Sequence, residues 1–91
     1  MKQVVYIAKT LRGAKAFIEA NTKWQRVAQT RYVNHNEAIC IATNIDQLRG
    51  RQFDKAYIDY SFTSINDRDY IDIERRLKRL GLTPMEITEA I

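Results

Sequence analysis

Three short apolar runs set the frame for this chain: Val4–Ala8, Ala38–Ala42 and Ala56–Ile58. Each is too short for a buried helix and lacks an alternating polar residue, so each reads as a strand covered on both faces, as in parallel sheets. After the first run, Leu11, Ala14, Phe17 and Ile18 recur at helical spacing behind Thr10, whose hydroxyl can cap a helix, and this helix is expected to end near Asn21. Tyr70, Ile73, Leu77 and Leu80 line one face of a second, longer helix that Gly81 stops. Strands alternating with helices form right-handed crossover units. The expected class is therefore α/β: a small three-layer domain whose mainly parallel sheet has three to four strands. The 91 residues suit one domain over 1–91, because a chain this short buries only about 60–65% of its unfolded surface and supports one core.

Other segments carry weaker patterns. Trp24 to Val33 mixes β-branched, aromatic and polar residues, which predicts one strand between Arg26 and Tyr32, broken by Asn34–Asn36. Thr43 or Asn44 can cap a single helical turn through Asp46, Gln47 and Leu48 that Gly50 ends. Ser64 with Asp67 resembles a cap for the second helix. Thr83, Pro84 and Glu86 have the order of a helix start, so a short terminal helix is expected.

Fifteen Lys and Arg against eleven Asp and Glu give a formal charge of +4, which favours anionic partners such as nucleic acid. Cys40 is the one cysteine and sits between Ile39 and Ile41. It reads as a buried thiol in a reducing, cytoplasmic setting. The apolar run at the N-terminus is too short to span a membrane, so no membrane partner is expected. His35 is the only histidine, and one histidine with one cysteine makes no zinc-ligand cluster. No catalytic residue and no cofactor is expected.

Loops at the carboxyl edge of a parallel sheet generally hold its ligands. Lys9, Arg12, Arg49 and Arg51 fall on such loops or at helix starts, and Arg31 lies among the aromatics Trp24, Tyr32 and Tyr60. Together they form the candidate nucleic-acid-binding set, since a guanidinium donates two parallel bonds to phosphate and aromatic rings stack on unpaired bases. The competing reading leaves the cations as separate surface charges and the rings as core or rim packing. Trp24 and Tyr70 are candidate anchors of a protein interface. Asp67, Asp69, Asp72 and Glu74 are expected to pair with Arg75, Arg76 or Lys78 along the second helix. The cations crowding that helix's last turns complement its dipole.

The segment Leu48-Arg49-Gly50-Arg51-Gln52-Phe53-Asp54-Lys55-Ala56-Tyr57-Ile58-Asp59 resembles the approach to the acidic strand motif of P-loop NTPases, as in phage terminases and helicases. The resemblance covers about a dozen residues and implies a Rossmann-like, P-loop-like half. It also implies a strand-tip carboxylate, Asp59, where the family holds magnesium. The chain departs from the family twice. Tyr60 stands where a glutamate usually follows, and Ala8-Lys9-Thr10-Leu11-Arg12-Gly13 lacks the glycine-rich phosphate loop.

The function expected from these residues is a non-catalytic small binding protein of phage or mobile-element type. It engages nucleic acid or a nucleic-acid-handling protein through a basic loop edge. Two alternatives stand beside it: a protein–protein module, as subunit or inhibitor of a host enzyme or as a homo-oligomer, and a metal-dependent nucleotide hydrolase or nuclease using Asp59.

Overall fold

The computed structural model describes residues 1–60, 62 and 68–87. The elements run β1 (Lys2–Ile7), α1 (Leu11–Asn21), β2 (Gln25–Ala28), β3 (Arg31–Val33), β4 (Glu37–Ala42), a 3₁₀ turn (Ile45–Leu48), β5 (Lys55–Ile58), α2 (Arg68–Arg79) and β6 (Pro84–Glu86). They build an α/β fold around one mixed sheet of six strands in the order β2-β3-β4-β1-β5-β6. β1 pairs in parallel with β4 on one side and β5 on the other, and β5 pairs in parallel with β6. β3 runs antiparallel to both β2 and β4.

The period-2 geometry of β1 divides the core. Val4, Tyr6 and Ala8 face one side, where they join Ala14 and Ile18 of α1 with Ile39, Ile41 and Tyr57. Val5 and Ile7 face the other side, where they join Ile73 and Leu77 of α2 with Ala42, Ala56 and Ile58. Every residue from Val4 to Ala8 is at most 1% exposed, which is why this run carries no charged residue and only one polar group, the Tyr6 hydroxyl.

Local chemistry fixes the helix ends. Thr10 caps α1, its Oγ1 accepting from the Gly13 amide at 3.0 Å. A Cβ on residue 13 would lie 2.8 Å from that oxygen, so a larger residue there would have to shift the cap. At the far end of α2, Gly81 adopts φ +77° and donates to the Lys78 carbonyl at 3.0 Å, while Leu82 donates to the Leu77 carbonyl at 2.9 Å. This is a Schellman ending, and its accompanying apolar pair is Leu77 with Leu82, both in the α2-side core.

Three sequence expectations are corrected. The sheet has six strands rather than three or four, and its β2–β3–β4 half is antiparallel. The single strand expected between Arg26 and Tyr32 is a hairpin, turned at Gln29-Thr30 without the glycine or asparagine that usually marks one. The terminal helix expected from Thr83 begins instead as β6, because Pro84–Glu86 pairs with Ala56–Ile58. Proline is tolerated on this edge strand, where a missing N–H need break no ladder. The proposed Ser64–Asp67 cap lies outside the described residues. At the opposite edge β2 is exposed throughout, and a register shift between Arg26 and Ala28 interrupts it. A bulge and a cation there discourage another strand from pairing.

Gly81→Ala is expected to cost about 1–2 kcal/mol, the strain of a side chain in the left-handed region. Thr10→Ala is expected to cost about 1 kcal/mol. Urea unfolding monitored through Trp24 measures both.

Candidate functional site

The carboxyl ends of β1 and β4 are a topological switch point, because β1 continues into α1 on one face while β4 continues into the 3₁₀ turn and crosses to β5 beyond β1. Ligands of open α/β sheets bind at such a point. A cleft of about 330 Å³ opens there, lined by Lys9, Thr43, Asn44, Asp46, Phe62, Asp72 and Ile73. Its polar groups are partly committed. The Asn44 Oδ1 accepts from the Gln47 amide at 3.1 Å, and the Thr43 amide donates to Gln47 Oε1 at 2.6 Å. Lys9 Nζ lies 5.5 Å from the centre of the Phe62 ring. With Asp46 and Asp72 on the same walls, the described lining carries more negative than positive charge.

The cations expected to form one basic rim are spread over several places. Lys9 is at the switch-point cleft, and Arg12 is on the exposed first turn of α1. Arg49 lies 3.8 Å from Asp46. Arg31 and Arg51 do come together, in a small recess beside Cys40 on the α2 side of the sheet. Arg31 is the register partner of Cys40, and directly opposed residues share a face. The Arg51 guanidinium donates to Cys40 Sγ at 3.3 Å and sits 5.0 Å from the Phe53 ring centre. Cys40 is therefore a half-buried thiol against a cation, not the fully buried one its apolar neighbours suggest.

The aromatics face inward. Tyr32 is 1% exposed, and Trp24 is half-buried, edge-on to Tyr6 at 6.3 Å and stacked on Tyr57 at 5.9 Å. Tyr60 is exposed, but its ring rests 5.1 Å from Phe17 of α1. Tyr70 is half-buried against the α2-side core, where burial first and then Glu74 raise its hydroxyl above the ordinary tyrosine range. Neither interface candidate, Trp24 nor Tyr70, stands clear of the surface.

Asp59 ends β5, and its amide donates to the Ile7 carbonyl at 2.8 Å. Its carboxylate is 3% exposed and accepts the buried Tyr6 hydroxyl. Sequence reading left Asp59 as either a metal-holding acid or a solvated strand end. In the structure the carboxylate ties β5 to β1 by this hydrogen bond, on the α1 side of the sheet. Nothing in the sequence signals this pairing, because Tyr6 reads simply as part of an apolar run. A second buried acid, Glu37, starts β4 at the amino edge and accepts from Asn34 Nδ2 at 3.0 Å. It also pairs with Lys55 at 3.5 Å and lies 3.3 Å from the Tyr57 hydroxyl.

The outer face of α2 carries a group of three arginines. Asp72, Arg75, Arg76 and Arg79 line one shallow depression, their spacing placing them on one side of the helix. Of the expected ion pairs on α2, Glu74 meets Lys78 at 3.0 Å. No described residue lies within ion-pair distance of Arg75, Arg76 or Arg79. Asp72 lines both this depression and the switch-point cleft, so the two adjoin. The i, i+1, i+4 arginines were visible in the sequence, where complementing the helix dipole accounted for them.

Burial and the Asp59 carboxylate push the Tyr6 hydroxyl far above the ordinary tyrosine range. The folded state thus keeps a proton that the unfolded chain releases above about pH 10, so this contribution is present below that pH and is lost as pH rises. Tyr6→Phe is expected to cost about 1–3 kcal/mol at neutral pH through the lost bond to a buried carboxylate. Above about pH 10 it should also flatten the alkaline loss of stability by up to about 1.4 kcal/mol per pH unit. Urea titrations across that range measure both effects. Comparison with known protein families, with curated proteins and with solved structures gave no match.

Proposed function

We propose that this chain is a non-catalytic binding protein that engages nucleic acid through phosphate contacts, with the α2 side of the molecule as its contact face. One observation carries the reading: Arg75, Arg76 and Arg79 stand together on the outer face of α2 without an ion-pair partner among the described residues. Surface arginines on a helix rich in acids usually pair at i±3 or i±4. A group of three left unpaired keeps its fork-like donors available for an outside anion, and phosphate is the anion whose geometry a guanidinium matches best.

Arg31 and Arg51 add positive charge on the same side of the sheet. Lys9, at the adjoining cleft, marks its carboxyl-edge limit. Arg12, on the α1 side, takes no part. In this reading the parallel strands with their two helices are a reduced three-layer, Rossmann-like plan, and the Tyr6–Asp59 tie is structural. The basic surface is thus a helix face rather than a loop edge.

Fluorescence anisotropy with labelled oligonucleotides over a salt series tests the proposal. Wild-type affinity should fall linearly with log salt, and joint Arg75→Ala, Arg76→Ala and Arg79→Ala should reduce the slope by about 2–3. Binding that ignores salt, or a slope unchanged in the triple variant, overturns it.

A further inference from the structure

We infer that the nucleic acid met by α2 is double-stranded DNA; this rests on the phosphate-binding reading above and deepens it. Single strands and RNA loops are held chiefly by stacking bases on exposed rings, so every aromatic in the chain bears on the choice. Tyr6, Tyr32, Tyr57 and Phe62 are buried at 5% exposure or less. Phe17, Trp24, Phe53 and Tyr70 are half-buried, each packed against one of the two cores. Tyr60 is exposed but lies against α1, on the opposite side of the sheet from the arginines. No ring stands beside Arg75, Arg76 and Arg79 to receive a base, and Phe53, next to Arg51, is packed against the α2-side core.

The arrangement of that charge suits a duplex groove. Arg75 and Arg76 leave the helix about 100° apart, and Arg79 follows Arg75 about 6 Å along the axis. The three forks therefore spread around the helix as well as along it, and reach phosphates on both borders of a groove. The major groove of B-form DNA, about 12 Å wide, admits a helix of about 10–12 Å diameter. The A-form groove of duplex RNA is deep and narrow, and RNA duplexes are read across the minor groove. Asp72 stands among the arginines and opposes phosphate, so it sets a limit on affinity that the Asn variant removes.

Anisotropy titrations with one labelled DNA duplex, the matching RNA duplex and each isolated strand, at equal nucleotide concentration and low salt, test the inference. The DNA duplex should bind about tenfold more tightly than either strand. The joint arginine-to-alanine variant should lose this preference, and Asp72→Asn should tighten duplex binding about twofold to threefold. Circular dichroism of each variant confirms the native fold. Equal or tighter binding to a single strand or to the RNA duplex overturns the DNA assignment and leaves the nucleic-acid reading standing. Salt-dependent binding to none of the four overturns both, as does equally tight binding to polyglutamate of matched charge.

Discussion

The two-sided parallel pairing of β1 is the constraint on which the rest of the molecule depends. β1 is hydrogen-bonded to β4 and β5, and its middle residues are sealed by α1 from one face and by α2 from the other. A strand in that position admits no uncompensated polar atom. Its one hydroxyl, on Tyr6, is accordingly spent on Asp59 of the neighbouring strand. The arrangement also creates the switch-point cleft, since the chain must leave β1 toward one face and return past it on the other.

The charged surface follows from the same plan. A helix packed on a sheet has one committed stripe and one free, and in α2 the committed stripe is Ile73 and Leu77. The free stripe holds Asp72, Arg75, Arg76 and Arg79. Because Ile73 and Leu77 seat the helix on the strands, the arginines are displayed on a regular element rather than on a loop. Preorganised cations lose less freedom on meeting an anion than the same cations on a loop.

The parts of this fold that were readable in the sequence are those settled by local pattern. Val4–Ala8 and the Leu11–Ile18 repeat needed no knowledge of their neighbours, and the Gly81 stop follows from backbone freedom alone. The misread parts are those decided by a distant partner. Pro84–Glu86 has the local chemistry of a helix start, yet the open edge of β5 offers it a ladder. The β2–β3 hairpin turns on Gln29-Thr30, which carries no turn signature. In the candidate site, the α2 arginines were visible, but their lack of partners was not, because pairing depends on rotamers and neighbouring surfaces. Cys40 was judged by flanking isoleucines that point to the opposite face, while Arg51 arrives from across a turn.

The sheet order has a temporal consequence. β1 precedes the other five described strands in chain order, yet it pairs with nothing nearby: its partners are residues 37–42 and 55–58. Only the β2–β3–β4 meander can form from adjacent segments as they emerge. The most apolar stretch of the chain therefore waits longest for cover, and folding is paced by closure of long loops rather than by local structure. During that interval α1, lying directly behind β1, is the nearest element able to shield it.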